Sequence, residues 1–266
     1  MTSMSQYYNA KKTRNLYDKK STKPFKLSRS KLDLFLECPR CFYLDRKLGV
    51  GRPAGFPFNL NSAVDALLKK EFDSHRAKKE PHPLMRSYGV KAIPFSHQDL
   101  NTWRENFVGV QFLDEPTNLL ITGAVDDVWI GEDNKLIVVD YKATSKNEKI
   151  IALDQEWQDG YKRQMEIYIW LLRHKGFDVS DTGYFVYCNG LRDKKAFDAK
   201  LEFEVTLISY KGNDNWVEPA IISAHKCLCS EKIPSSVKDC DYCSYIDAVQ
   251  ESTNTKKSAT QPKLLF

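Results

Sequence analysis

The stretch "VVDYKATS", residues 138–145, decides how this chain is read. Val138 and Val139 belong in the interior of a buried strand, yet Asp140 and Lys142 follow within four residues. Side chains two apart on a strand share a face. An acid and a base therefore point the same way from a segment whose neighbours are apolar. Just upstream, "NLLITGAVDDVWI" (118–130) is another apolar, β-branched run, and "GEDN" (131–134) between the two is turn chemistry. Together they predict a β-hairpin. With the turn centred near Asp133, Asp126 falls opposite Asp140, within one residue of register. Facing carboxylates repel, and burial adds to the cost. A divalent cation between them reverses the sign. Oxygen ligands favour Mg²⁺ or Mn²⁺, which keep bound waters and take phosphates. Lys142 beside them is suited to hold a nucleophilic water or a scissile phosphate.

Working outward, "LSRSKLDLFLECPRCFYLDRKLGV" (27–50) predicts a helix through Leu32, Phe35 and Leu36, capped by Ser28 or Ser30 and broken or restarted at Pro39. "NSAVDALLKKEFDSHRAKK" (61–79) predicts a second, capped by Asn61 or Ser62, with Val64, Leu67, Leu68 and Phe72 facing inward. "DQEWQDGYKRQMEIYIWLLRHKG" (154–176) reads as a long helix ending at Gly176. "GYFVYCNG" and "KLEFEVTLISY" are strand-like, and "VEPAIISAHKCLCS" is helical. Strands with interleaved helices predict one α/β domain over 25–250, between a disordered basic arm (1–24) and a disordered tail (251–266). No apolar run approaches the roughly 18–20 residues that span a bilayer, and the N-terminus lacks the apolar core of a secretory signal. A soluble cytoplasmic protein is the expectation. A net charge of +5 is compatible with a polyanionic partner.

Seven cysteines without a secretory signal argue for metal ligands or inert thiols rather than disulfides. "CPRC" (Cys38, Cys41) and "CDYC" (Cys240, Cys243) are two C-x-x-C pairs, the signature of a metal site that would clip the first helix to the end of the domain. A two-plus-two arrangement suits tetrahedral Zn²⁺. Cys227 and Cys229 are reserve ligands, and Cys188 reads as a strand-core thiol.

Four motifs in order resemble the PD-(D/E)XK nuclease superfamily, in particular its RecB-like branch, which includes CRISPR-associated RecB-like exonucleases and the nuclease domains of recombination helicase–nucleases. They are the leading "LSRSKLDLFLECPRCFYLDR", the G-x-x-D of Gly123 to Asp126, the D-x-K of Asp140 to Lys142, and the Q-x-x-x-Y of Gln164 to Tyr168. The resemblance implies a restriction-endonuclease-like core, a mixed central β-sheet flanked by helices. It makes Asp126 and Asp140 ligands of Mg²⁺ or Mn²⁺ and Lys142 the residue that orients or activates the attacking water. It brings Gln164 and Tyr168 to the metal site and the DNA strand, with Tyr161 one turn before them. The branch places a metal-binding His in a helix after its N-terminal segment. Here Asp65 falls at that point and supplies an oxygen ligand instead, with Glu71 a less favoured substitute.

Members of the branch often hold a 4Fe–4S cluster on one N-terminal and three C-terminal cysteines. The two-plus-two pattern departs from that, so iron–sulfur and zinc both stand. The activity implied is metal-dependent DNA hydrolysis, on ends or single strands, in repair, recombination or CRISPR adaptation. The alternatives are a catalytically silent nuclease fold that binds nucleic acid, and a zinc-stapled interaction domain. The terminal "QPKLLF", with Gln261, Leu264 and Phe266, resembles peptides that dock on bacterial sliding clamps.

Overall fold

A computed structural model describes residues 11–53, 55 and 58–258. The clamp-like residues Gln261, Leu264 and Phe266 lie outside the described residues. The fold is mixed α/β, in the order β1 (Phe25–Ser28), α1 (Arg29–Glu37), α2 (Pro39–Arg46), α3 (Asn59–Lys78), α4 (Pro83–Ser87), β2 (Ala92–Pro94), α5 (Leu100–Arg104), β3 (Val110–Asp114), β4 (Leu119–Gly123), β5 (Asp127–Gly131), β6 (Leu136–Thr144), α6 (Asp159–His174), β7 (Thr182–Gly190), β8 (Phe203–Lys211), α7 (Val217–Cys229) and α8 (Asp241–Ser258). No described helix is long and apolar enough to cross a membrane. The chain divides into two compact units, one of residues 23–30 and 56–219, the other within 1–22, 31–55 and 220–266.

The larger unit is built on a five-stranded sheet, β2-β5-β6-β7-β8, and a three-stranded one, β1-β4-β3. The hairpin carries the predicted register: Asp127 pairs with Val139, Val128 with Val138 and Ile130 with Leu136. Asn134 closes the turn at φ +62°, a left-handed conformation that Asn tolerates, and Asp133 accepts a hydrogen bond from the Lys135 amide. Beyond β6 the chain must return before it can pair in parallel with β7, and α6 makes that crossover. The other neighbours in this sheet are antiparallel, so it is mixed.

The upstream apolar run is not one strand. It breaks after Gly123: β4 pairs with β1 and β3 in the small sheet, whereas β5 starts at Asp127 in the large one. Ala124, Val125 and Asp126 form the step between the sheets, which frees the Asp126 carboxylate from a ladder position.

Two helices cover the large sheet. Leu68 and Phe72 of α3 join Trp129, Ile137, Val139, Tyr141 and Val186 in one buried cluster, with Val64 packed against it. Residues 64, 68 and 72 form one stripe at i, i+4, i+8. Leu67 sits a quarter-turn off it and is 62% exposed, contrary to the inward position expected from sequence. The helix also starts at Asn59, so neither Asn61 nor Ser62 caps it; Asn61 Nδ2 instead donates to the Ala143 carbonyl at 2.9 Å. α6 packs its buried run from Gln164 to Leu172 against β3, β4 and β6. It approaches so closely that a Cβ on Gly183 would meet Met165 and lie 2.8 Å from the Val138 carbonyl oxygen. Residues Glu156–Gln158 form a 3-10 turn before it, and Gly176 follows its end at φ +89°.

In the smaller unit Pro39 separates two helices. Cys38 is extended at φ −161° and Pro39 occupies the first turn of α2, where its missing N–H costs nothing. Leu32 and Phe42 are fully buried. Asp45 is also fully buried, and it is compensated by Lys12 at 2.5 Å, Lys31 at 2.7 Å and Arg46 at 3.0 Å. Burial alone would raise its pKa, but these three cations hold it well below the usual carboxylate range.

Candidate active site and four-thiol cluster

The site lies where β6 leaves the buried part of the sheet. Asp140 is fully buried and pairs with Phe185 of β7, one residue beyond the end of the ladder with β5. Asp126, on the step before β5, reaches across so that its Oδ2 accepts the Tyr141 amide N–H at 2.9 Å. Gln164 Nε2 donates to Asp140 Oδ1 at 2.7 Å and to Tyr168 Oη at 3.0 Å. Lys142 Nζ is ion-paired with Asp140 Oδ2, donates to Gln164 Oε1 at 3.3 Å and lies 4.5 Å above the Tyr161 ring. A buried Gln must find partners, and here every one belongs to this constellation. Asp65 and Asp126 flank the Lys69 ammonium, at 2.8 Å and 3.9 Å.

The electrostatics are those of crowded acids. Burial first, and the charge of Asp140 second, push Asp126 up to about 6, despite Lys142 and Lys69. Asp65 is raised too, by burial and then by Asp126, against the pull of Lys69. Burial likewise pushes the Tyr168 hydroxyl up. Among the described residues, the ion-pair partner of Asp126 Oδ1 is Lys69, at 3.9 Å. Asp140 Oδ2 is buried and accepts no hydrogen bond among the described residues, leaving the Lys142 charge as its partner. Each carboxylate thus has one oxygen that accepts no hydrogen bond among the described residues, and oxygen donors of this kind suit a hard cation such as Mg²⁺ or Mn²⁺.

The sequence model of the PD-(D/E)XK nuclease superfamily matches residues 59–248. The chain belongs to the PD-(D/E)XK nuclease superfamily. No curated protein matches it. A solved structure described as "Crystal structure of SSO0001" shares 14% identity over 91% of this chain and 87% of that one, with a TM-score of 0.36.

In this PD-(D/E)XK chain the sequence-selected Asp126, Asp140, Lys142, Gln164 and Tyr168 come together, but sequence reasoning missed three supporting features. Gly123 is required by Tyr168: a Cβ there would lie 2.7 Å from the ring and 3.0 Å from Leu171, which ties the G-x-x-D motif to the Q-x-x-x-Y motif. Lys69, one turn after Asp65, was visible as an i,i+4 acid–base pair but was not assigned. Asp127, next to Asp126, was given no role from sequence; it is fully buried in a separate network. It receives Arg76, Arg104 at 2.8 Å, the Tyr141 hydroxyl at 2.8 Å and the Val128 amide. Glu71 pairs with His82 at 2.8 Å.

In the smaller unit the thiols of Cys38, Cys41, Cys240 and Cys243, all buried, lie within 4.8 Å of one another. Burial raises Cys38, but backbone amides of Cys41 and Val237 and its thiol neighbours outweigh it and bring it to about 7. Burial pushes Cys41 and Cys243 up. The reserve candidates stand apart: Cys227 Sγ is 4.0 Å from the Pro39 carbonyl oxygen, and Cys229 lies beside Tyr17 and His225. Cys188 is a buried strand thiol raised to about 11 by burial.

Proposed function

We propose that this chain is a Mg²⁺- or Mn²⁺-dependent deoxyribonuclease of the RecB-like branch, with Asp126, Asp140 and Asp65 as metal ligands. The carrying observation is the convergence of Asp126 and Asp140 with Lys142 and Gln164, each acid keeping one oxygen toward the site. The bound metal supplies Lewis acidity toward a phosphoryl oxygen and a more acidic water. The chain supplies the positioning. Gln164 fixes Asp140 through Oδ1, and Tyr168 in turn fixes Gln164. Lys142 orients the attacking water and offsets the negative charge that grows on the phosphate. The water oxygen bonds to phosphorus, the opposite P–O ester bond breaks, and a proton ends on the departing hydroxyl.

The substrate in this reading is DNA ends or single strands, the setting is cytoplasmic repair, recombination or CRISPR adaptation, and the "QPKLLF" peptide docks on a sliding clamp. Labelled single- and double-stranded DNA incubated with Mg²⁺ or Mn²⁺ tests the activity. Cleavage is expected from wild type and not from Asp140→Ala. DNA binding by wild type with no cleavage under either metal would replace the enzyme by a nucleic-acid-binding module.

A further inference from the structure

The resemblance to the RecB-like branch brings with it a 4Fe–4S cluster, and the four thiols do not fit one. Cys41 Sγ lies 3.5 Å from Cys240 Sγ and 3.6 Å from Cys243 Sγ, and Cys38 Sγ lies 3.8 Å from Cys243 Sγ. A tetrahedral ion with four zinc–sulfur bonds of about 2.3 Å has sulfur–sulfur edges of about 3.8 Å. In a 4Fe–4S cube each cysteine binds a different iron, so two iron–sulfur bonds and an iron–iron edge separate any two cysteine sulfurs, a straight-line distance of roughly 6.5 Å. A set confined within 4.8 Å encloses one ion and leaves no room for eight cluster atoms.

The surroundings agree. Cys38 precedes α2 and Cys41 sits in its first turn; Cys240 precedes α8 and Cys243 sits in its first turn. Each C-x-x-C pair therefore wraps the positive end of a helix, which favours thiolates. Four thiolates around a divalent ion leave a net dianion, and Arg52 answers it. Its Nη2 donates to Cys240 Sγ at 3.6 Å, its Nη1 pairs with Glu37 at 2.7 Å, and the guanidinium lies 4.7 Å from the centre of the Tyr242 ring.

We propose that Cys38, Cys41, Cys240 and Cys243 hold a single structural zinc ion, with Arg52 as a positioning residue that fixes Cys240. Four protein ligands close the coordination shell, so the ion takes no part in hydrolysis. It staples segments about 200 residues apart in sequence, in a unit whose core is small and which has no described strand. The proposal is independent of the nuclease reading.

Full-length protein purified without oxygen tests it. The expected result is a colourless protein with about one zinc per chain, no iron and no acid-labile sulfide. Replacement by Co²⁺ should give the ligand-field spectrum of tetrahedral thiolate coordination. Brown protein containing iron and sulfide, or protein retaining no metal, would overturn the proposal. Cysteine variants risk misfolding, so Arg52 supplies a gentler probe. Arg52→Ala is expected to weaken zinc retention against a chromogenic chelator about 10- to 100-fold, and Arg52→Lys by less. Retention unchanged in Arg52→Ala would remove Arg52 from the site.

Discussion

Asp126→Asn removes a charge that the metal-free fold tolerates poorly. Burial and the facing Asp140 lift the Asp126 carboxyl from 3.8 to about 6. Each unit corresponds to about 1.4 kcal/mol, so ionised Asp126 costs the metal-free fold up to about 3 kcal/mol above pH 6. The folded state binds this proton more tightly than the unfolded chain. The group therefore costs little below its ordinary pKa, and stability falls as pH rises from about 4 through 6. Asparagine keeps an oxygen for the Tyr141 amide and loses the charge. In EDTA at pH 8 the variant should be more stable than wild type by up to about 3 kcal/mol, and at pH 4 by less than about 1 kcal/mol. Urea unfolding followed by tryptophan fluorescence reads this directly, because all five tryptophans, Trp103, Trp129, Trp157, Trp170 and Trp216, belong to the larger unit. Added Mg²⁺ should stabilise wild type and not the variant. An equal gain at both pH values, or none at pH 8, would refute the crowded-acid argument.

Lys142→Ala should lower the cleavage rate by about 10²- to 10⁴-fold while Mn²⁺ still binds, as a calorimetric titration would show. Gly123→Ala forces the Tyr168 ring away and should cost about 1–3 kcal/mol in urea unfolding, with cleavage reduced because Gln164 loses its anchor. In a Tyr168→Ala background the same change should cost little stability. Lys69→Met removes the ammonium between Asp65 and Asp126, so half-maximal cleavage should need less metal, read from a Mg²⁺ titration. Asp127→Ala leaves Arg76 and Arg104 buried without their shared carboxylate and should destabilise by about 3–5 kcal/mol, read by thermal unfolding.

The hairpin was legible because two forces agree there. "GEDN" fixes the turn, and the valines of β6 must be buried, so a register slip would expose them. α6 was legible for the same kind of reason, through its unbroken apolar face and Gly176. The break at Gly123 was not. Gly123 there leaves room for the Tyr168 ring, 45 residues further along the chain, and nothing local marks that contact. Nor do β1, β2 and β3 announce themselves: each has five residues or fewer, and β1 and β2 pair with strands distant in sequence. Of the two adjacent acids, hairpin register picked out Asp126 opposite Asp140. It could not show that Asp127 is buried among arginines from α3 and α5. The thiol cluster was readable as two C-x-x-C pairs, but its size, which separates one ion from a cluster, exists only in three dimensions.

Divalent-metal cleavage of end-labelled DNA by wild type and Asp140→Ala tests the central claim most directly. The account predicts cleavage by wild type in Mg²⁺ or Mn²⁺ that EDTA stops, and none by a folded Asp140→Ala protein. Cleavage that survives either EDTA or loss of Asp140 would contradict it.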